Sequence, residues 1–351
     1  MSEAVREILL DGQVIPACPL ALHADRTWSE RHQRALARYY FASGAGGIAV
    51  GVHSTQFQIR DAKHGLFEPV LELVAEEFDR LTAPSPRAVV RIAGICGDTG
   101  QALGEVASAL RFGYHAGLLS LTAVSGLPEE RTLEHCRRVA EAIPVVGFYL
   151  QPAVGGRVFS FRFWRQFAEI ENVVAVKIAP FNRYQTWDVV RAVMEAGRDD
   201  IALYTGNDDN IIGDLVTPFN YPVAGESKTR FIVGGLLGQW GVWTSGAVRM
   251  LENIAEQRGG EALDTSWLEH NVRLTDANAV IFDAAHQFAG CIPGIMEVLR
   301  RQGLAPSNAC LDPDEVLSPG QAEELNRIAR VYPNLHDDRF VEEHLDAWLA
   351  D

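Results

Sequence analysis

Eight short apolar runs, each parted from the next by a helix-length segment, are the feature that most limits what this chain can fold into. They lie at 14–22 (VIPACPLAL), 47–51 (GIAVG), 88–94 (AVVRIAG), 116–122 (AGLLSLT), 144–150 (PVVGFYL), 173–179 (VVAVKIA) and 201–206 (IALYTG), with an eighth inside 231–243 (FIVGGLLGQWGVW). Runs this short and this rich in β-branched residues read as buried strands. The intervening segments carry 3.6-residue periodicity and terminal signals. The segment 28–44 has Ser29 or Thr27 to cap it and Gly44 to stop it; 128–142 opens on Pro128 with acids behind it, as helix N-termini favour. Eight strand–helix alternations with right-handed crossovers predict a (β/α)8 barrel. A doubly wound sheet would place a glycine-rich phosphate turn after its first strand. The one G-x-G-x-x-A match, Gly44 to Ala49, instead follows a helix and precedes a strand, the wrong order for a dinucleotide fingerprint.

Two regions fall outside the alternation. Residues 217–230 (TPFNYPVAGESKTR) read as a loop or insertion before the last strand, longer than an ordinary connection. Beyond residue 260 the pattern is helical only, which divides the chain into a barrel, 1–260, and a C-terminal helical extension, 261–351. Charge and cysteine usage narrow the setting. A net charge of −15 argues against nucleic acid or an anionic membrane as the main partner, and leaves room for a small anionic substrate. The five cysteines are scattered, without a C-x-x-C pair, which fits free thiols in a reducing cytoplasm and no zinc knuckle. No signal peptide and no 18-residue apolar run is present.

Within the sixth run stands a lysine. Only three of the 31 basic residues are lysines, Lys63, Lys177 and Lys228, and buried strands rarely carry an ammonium group. Strand alternation that points Lys177 into the barrel also points Ala175 and Ala179 inward, leaving room for a ligand, with Val174, Val176 and Ile178 facing the helical shell. Barrel active sites form at the C-terminal ends of strands, and Lys177 is late in its strand. Burial lowers a lysine's pKa, and a neutral amine can attack a carbonyl to form a Schiff base. A lysine snorkelling to the rim or paired with a carboxylate is the plainer alternative. The preceding strand ends in FYLQP, so Tyr149 is expected beside the amine as a proton relay.

The pair FYLQP…VVAVKIA, with 28 residues from tyrosine to lysine, resembles the dihydrodipicolinate synthase / N-acetylneuraminate lyase family. That resemblance spans roughly residues 14–300 and includes a GN-D turn at 206–208. It implies a class I lyase or aldolase on a (β/α)8 barrel, with Lys177 forming an imine with pyruvate or another 2-oxo acid and Tyr149 moving protons. It implies no metal or organic cofactor. It also implies a homo-oligomer, a dimer or tetramer. The family's G-[TS]-T-G-E turn holds the substrate carboxylate; here it reads GVHSTQ, which transfers that role to Ser54 and Thr55 and brings in His53 as a further contact. Gly206 belongs to the GN-D turn, and GVWTSG brings Trp243 and Thr244 towards the same mouth.

Departures from the family pattern bear on the substrate. The interface phenol of the synthase is replaced by LTAVSG, with Val124 and Ser125, and the arginine that grips aspartate semialdehyde is replaced by Val154. Valine cannot pair with a carboxylate, so a different aldehyde, a sugar acid or an aromatic substrate is expected. A dehydratase or deaminase of a sugar acid or hydroxyproline-derived acid would use the same lysine. A degenerate sugar-acid-binding member is a further alternative, and a metal-dependent isomerase would need His53, His115 and Asp208 together.

Overall fold

The computed structural model describes residues 2–85, 87–258, 260 and 262–350. All eight expected strands form: β1 (Val14–Pro16), β2 (Gly47–Val50), β3 (Val90–Ile95), β4 (Ala116–Leu119), β5 (Val145–Leu150), β6 (Val173–Ala179) and β7 (Ala202–Thr205), then, after a hairpin of β8 (Phe219–Val223) and β9 (Glu226–Arg230), β10 (Gly234–Leu237). The parallel sheet runs β1-β10-β7-β6-β5-β4-β3-β2. A bridge between Ala17 and Ala49 joins its two ends. The sheet is therefore a closed barrel with no free edge, as its uninterrupted apolar strands require. Every residue of β6 is buried.

Helices α2 (Glu30–Ala42), α3 (Phe67–Thr82), α4 (Thr99–Arg111), α5 (Glu129–Ala140), α6 (Phe161–Phe167), α7 (Arg183–Glu195), α8 (Ile211–Val216) and α9 (Thr244–Arg258) surround it. Their apolar faces meet the outward strand residues in one layer of core, while Ile15, Ala49, Ile92, Leu118, Val146 and Leu236 belong to a separate cluster that fills the barrel. Ser29 stands at the N-cap of α2, but its hydroxyl turns to His32 Nδ1 at 2.9 Å. Pro128 begins α5 with Glu129 and Glu130 in the first turn.

Two elements go beyond the sequence reading. An amphipathic helix, α1 (Glu3–Asp11), precedes the barrel and buries Val5 and Leu9. Residues 217–230 carry the hairpin β8–β9 instead of a loop, with Val223 opposite Glu226. The intervening Ala224 and Gly225 both have positive φ, 51° and 89°, which is the requirement of a two-residue type I′ turn. After α9 come α10 (Ser266–Ile281), α11 (Cys291–Arg301), α12 (Gln321–Val331) and α13 (Asp338–Leu349). The last of these returns to α2, where Arg38 Nη1 donates to the Trp348 carbonyl at 2.6 Å. No helix among the described residues is long and apolar enough to cross a membrane.

Candidate active site

Strand β6 carries Lys177 into the barrel, with its ammonium 4.5 Å from the centre of the Phe148 ring. Phe148 and Tyr204 are its register partners on β5 and β7, and in a parallel sheet such partners face the same side. The stem of the lysine lies over Gly206, where a Cβ would fall 2.6 Å from Lys177 Cε and 2.8 Å from Ala179 Cβ. Glycine at this position is thus the space the lysine occupies.

The turn after β7 sets an acid beside it. Asn207 is clamped from four directions: its N–H donates to Thr205 Oγ1 (3.1 Å), its amide donates to Thr186 Oγ1 (3.2 Å) and Asp214 Oδ2 (2.8 Å), and its Oδ1 accepts from the Phe181 N–H (2.9 Å). The next residue, Asp208, is held through its carbonyl by Asn278 Nδ2 at 2.8 Å, while its buried Oδ1 has no hydrogen-bond partner among the described residues. Burial drives the two charges in opposite directions. It lowers the Lys177 pKa, which the Asp208 charge offsets only in part, and it raises the Asp208 carboxyl far above the usual carboxylate range against the pull of Lys177. Burial, and then the Lys177 charge, push His53 down to about 4, so its imidazole is neutral at neutral pH.

These groups share a cavity of about 70 Å³. Its polar lining is Lys177, Asp208, His53, Ser54 and Gln151 with the Cys291 thiol, and its apolar walls include Phe148, Val154, Phe181, Phe282, Phe288 and Ile295. Burial holds the Cys291 thiol well above its ordinary pKa, so it is protonated. Of the residues expected from sequence, Lys177, His53, Ser54 and Gly206 come together here. Thr55 does not: it donates to the Cys18 carbonyl at 2.7 Å and accepts the N–H groups of Gly51 and Val52, so its hydroxyl is spent on shaping the turn. Ser54 donates to the Ala17 carbonyl at 2.8 Å.

Tyr149 does not reach the amine. It is fully buried on the shell side, 4.9 Å from the Trp164 ring centre, and its hydroxyl accepts a 3.4 Å bond from the Phe159 N–H. The cause is a one-residue irregularity. Val145 pairs with Val173, an offset of 173 − 145 = 28, but Val146 pairs with Ala175, an offset of 175 − 146 = 29. The bulge therefore substitutes Phe148 for Tyr149 opposite Lys177, and it also brings Val174 into the barrel cluster, not the shell. Trp243 and Thr244 lie elsewhere too. Thr244 is buried at the start of α9, bonded to Tyr39 and the Trp240 carbonyl, and Trp243 faces a different cleft. His115 accepts from the Arg91 N–H and lies beside α1 at the opposite end of the barrel. Among the described residues no three His, Cys, Asp or Glu side chains are grouped to hold a metal.

No family model and no curated protein sequence matches the chain. Solved structures do. A dihydrodipicolinate synthase aligns at 16% identity and TM-score 0.71, covering 92% of this chain and 99% of its own. YagE, a prophage protein of the dihydrodipicolinic acid synthase family from E. coli K12 in complex with pyruvate, aligns at 14% identity and TM-score 0.71, covering 91% and 98%. N-acetylneuraminate lyase from Fusobacterium nucleatum aligns at 15% identity and TM-score 0.68, covering 92% and 99%. The fold is the one these enzymes share. It is a (β/α)8 barrel whose C-terminal extension supplies Phe282 and Phe288, from the connection after α10, and Cys291 and Ile295 of α11 to the cavity.

Proposed function

We propose that this chain is a Schiff-base lyase of the dihydrodipicolinate synthase / N-acetylneuraminate lyase family, acting on a 2-oxo acid through Lys177. The observation that supports this most is the lysine itself: it is buried, its proton is loosened by burial, and it faces a cavity that a carboxyl group also lines. Lys177 Nζ attacks the C2 carbonyl carbon of the 2-oxo acid, and the resulting carbinolamine loses its hydroxyl as water to leave the iminium. Asp208, protonated more readily than an ordinary carboxyl, gives the proton to the departing hydroxyl. Its carboxylate then takes a proton from C3, and the iminium accepts the electron pair to form an enamine. C–C cleavage or addition at C3 runs through that enamine, with His53 in reach as a neutral donor or acceptor. The backbone N–H groups of His53 and Ser54, which open the turn and lack intrahelical acceptors, seat the substrate carboxylate, while the Ser54 hydroxyl stays on the Ala17 carbonyl.

Phe148, Val154, Phe181, Phe282 and Phe288 make the remaining wall apolar. An aldehyde partner with an aromatic or aliphatic body fits it better than a polyhydroxylated sugar, whose hydroxyls would lose their hydration without replacement. Incubation with pyruvate and borohydride is expected to add a reduced pyruvyl group to Lys177, seen by peptide mass spectrometry, and Lys177→Met to abolish it. A wild-type chain left unlabelled at Lys177 overturns the proposal.

A further inference from the structure

Gln239 follows Gly238, which lines the lysine cavity, yet its own side chain faces a second and separate cleft of about 260 Å³. This cleft lies between α9, α10, the end of α12 and the segment 332–335 that follows it. Its base is apolar, formed by Ile212, Ala247, Met250 and Leu274, with the indoles of Trp243 and Trp267 among its walls. Its charged lining is basic, Arg249 and Arg273 without a carboxylate, on a chain of 46 acids against 31 basic residues. Two acids of α10 are already held: Glu269 by Arg273, and Asp276 by Arg327 and Tyr332. Arg249 is not. Its one hydrogen bond among the described residues is a 3.3 Å contact to Ser245 Oγ.

Two further observations point to a ligand. Gln239 is only 3% exposed, and its Oε1 has no partner among the described residues. A buried amide oxygen without a donor is costly, which sets the Gln239 side chain apart from the rest of the lining. Trp243 sits at φ 54°, a left-handed conformation that a bulky residue seldom adopts. It is held there by the Gly246 and Ala247 N–H groups, which donate to its carbonyl at 3.0 and 3.1 Å. Trp267 is fixed by donating from Nε1 to Gln257 Oε1 at 2.8 Å. Backbone strain of the kind at Trp243 clusters at active sites and ligand clamps.

We propose that this cleft binds a small organic acid, with its carboxylate on Arg249 and an apolar or aromatic body against the indoles of Trp243 and Trp267. The guanidinium fork matches a carboxylate in two-point geometry. The volume is just below the usual range of about 300–1,000 Å³ for drug-sized ligands, so a nucleotide or a peptide is too large. The site is independent of imine chemistry at Lys177.

The test uses 3-phenyllactate, which carries carboxylate, hydroxyl and phenyl groups but no carbonyl for an imine. Titrated into the full chain, it is expected to change tryptophan fluorescence saturably. Arg249→Leu should weaken it at least about tenfold, Arg249→Lys should restore part of the affinity, and Lys177→Met should leave it unchanged. The diol 3-phenyl-1,2-propanediol, which lacks the carboxylate, should bind far more weakly to the wild-type chain. Arg249 is exposed, so its variants should keep the wild-type melting profile. Absence of saturable change, equal binding of the diol, or insensitivity to Arg249→Leu overturns the proposal. So does loss of binding in Lys177→Met, which would place the ligand in the lysine cavity.

Discussion

Lys177 and Asp208 are two groups whose ionised forms are both disfavoured by burial and favoured by each other. Removing the acid therefore has a sign that can be worked out. The Asp208 charge is what keeps the lysine pKa from falling further, so Asp208→Asn lowers it again. The neutral amine is then present at lower pH, and the pH profile of pyruvate–borohydride trapping is expected to move towards acid. Its plateau should fall at the same time, by roughly 10²–10⁴-fold if Asp208 carries the proton transfers. A midpoint that stays put or moves alkaline would separate the acid from the amine. Tyr149 makes the opposite case. Its hydroxyl makes one long bond, 3.4 Å, within the aromatic shell, so Tyr149→Phe should cost less than about 1 kcal/mol of stability. It should leave labelling of Lys177 unchanged, whereas a phenol acting as the relay would lose it.

Strands β5 and β6 show how far sequence could be read at the scale of an element. The bounds of β6 coincide with its apolar run, and Lys177 faces inward between Ala175 and Ala179 because the two-residue alternation allows only that arrangement. The spacing of 28 residues from Tyr149 to Lys177 was equally visible, but spacing is not facing. One unpaired residue near Val174 changes the offset, and no local signal in VVAVKIA announces it. Asp208 was legible as part of a turn and as a candidate metal ligand, not as the acid facing Lys177, since that role depends on Asn207 being fixed by Thr186 and Asp214. The hairpin was hidden for another reason: half-exposed strands joined by Ala-Gly share their composition with a loop. Gly206 gives the prediction that belongs here. Gly206→Ala would place a methyl 2.8 Å from Ala179 Cβ and 2.6 Å from Lys177 Cε, so the lysine stem must leave its seat. Trapping at Lys177 is expected to be lost or strongly slowed, while circular dichroism still reports the barrel. Normal trapping would mean that the lysine works from another rotamer.

The whole molecule separates chemistry from closure. The lysine cavity lies at the C-terminal ends of the strands and takes its far wall from Phe282, Phe288, Cys291 and Ile295. These residues lie more than seventy positions beyond every barrel strand except β10, and nothing in their helical pattern tied them to Lys177. The opposite end is shut by α1, which the sequence disguised as a short apolar patch between acids. Tyr204, the register partner of Lys177, reaches down to that helix and donates to the Leu9 carbonyl at 2.8 Å while accepting the Gln13 N–H at 3.1 Å. Leu9 is 1% exposed and belongs to the cluster that fills the barrel. Truncating it leaves a cavity far from the amine, so Leu9→Ala should cost about 2–5 kcal/mol, read as a lower thermal midpoint. Labelling of Lys177 below that midpoint should match the wild type, because stability resides at the bottom of such barrels and reactivity at the top. If Leu9→Ala instead slowed labelling in the fully folded chain, Tyr204 would be transmitting the position of α1 to the lysine, and the two ends could not be treated as separate.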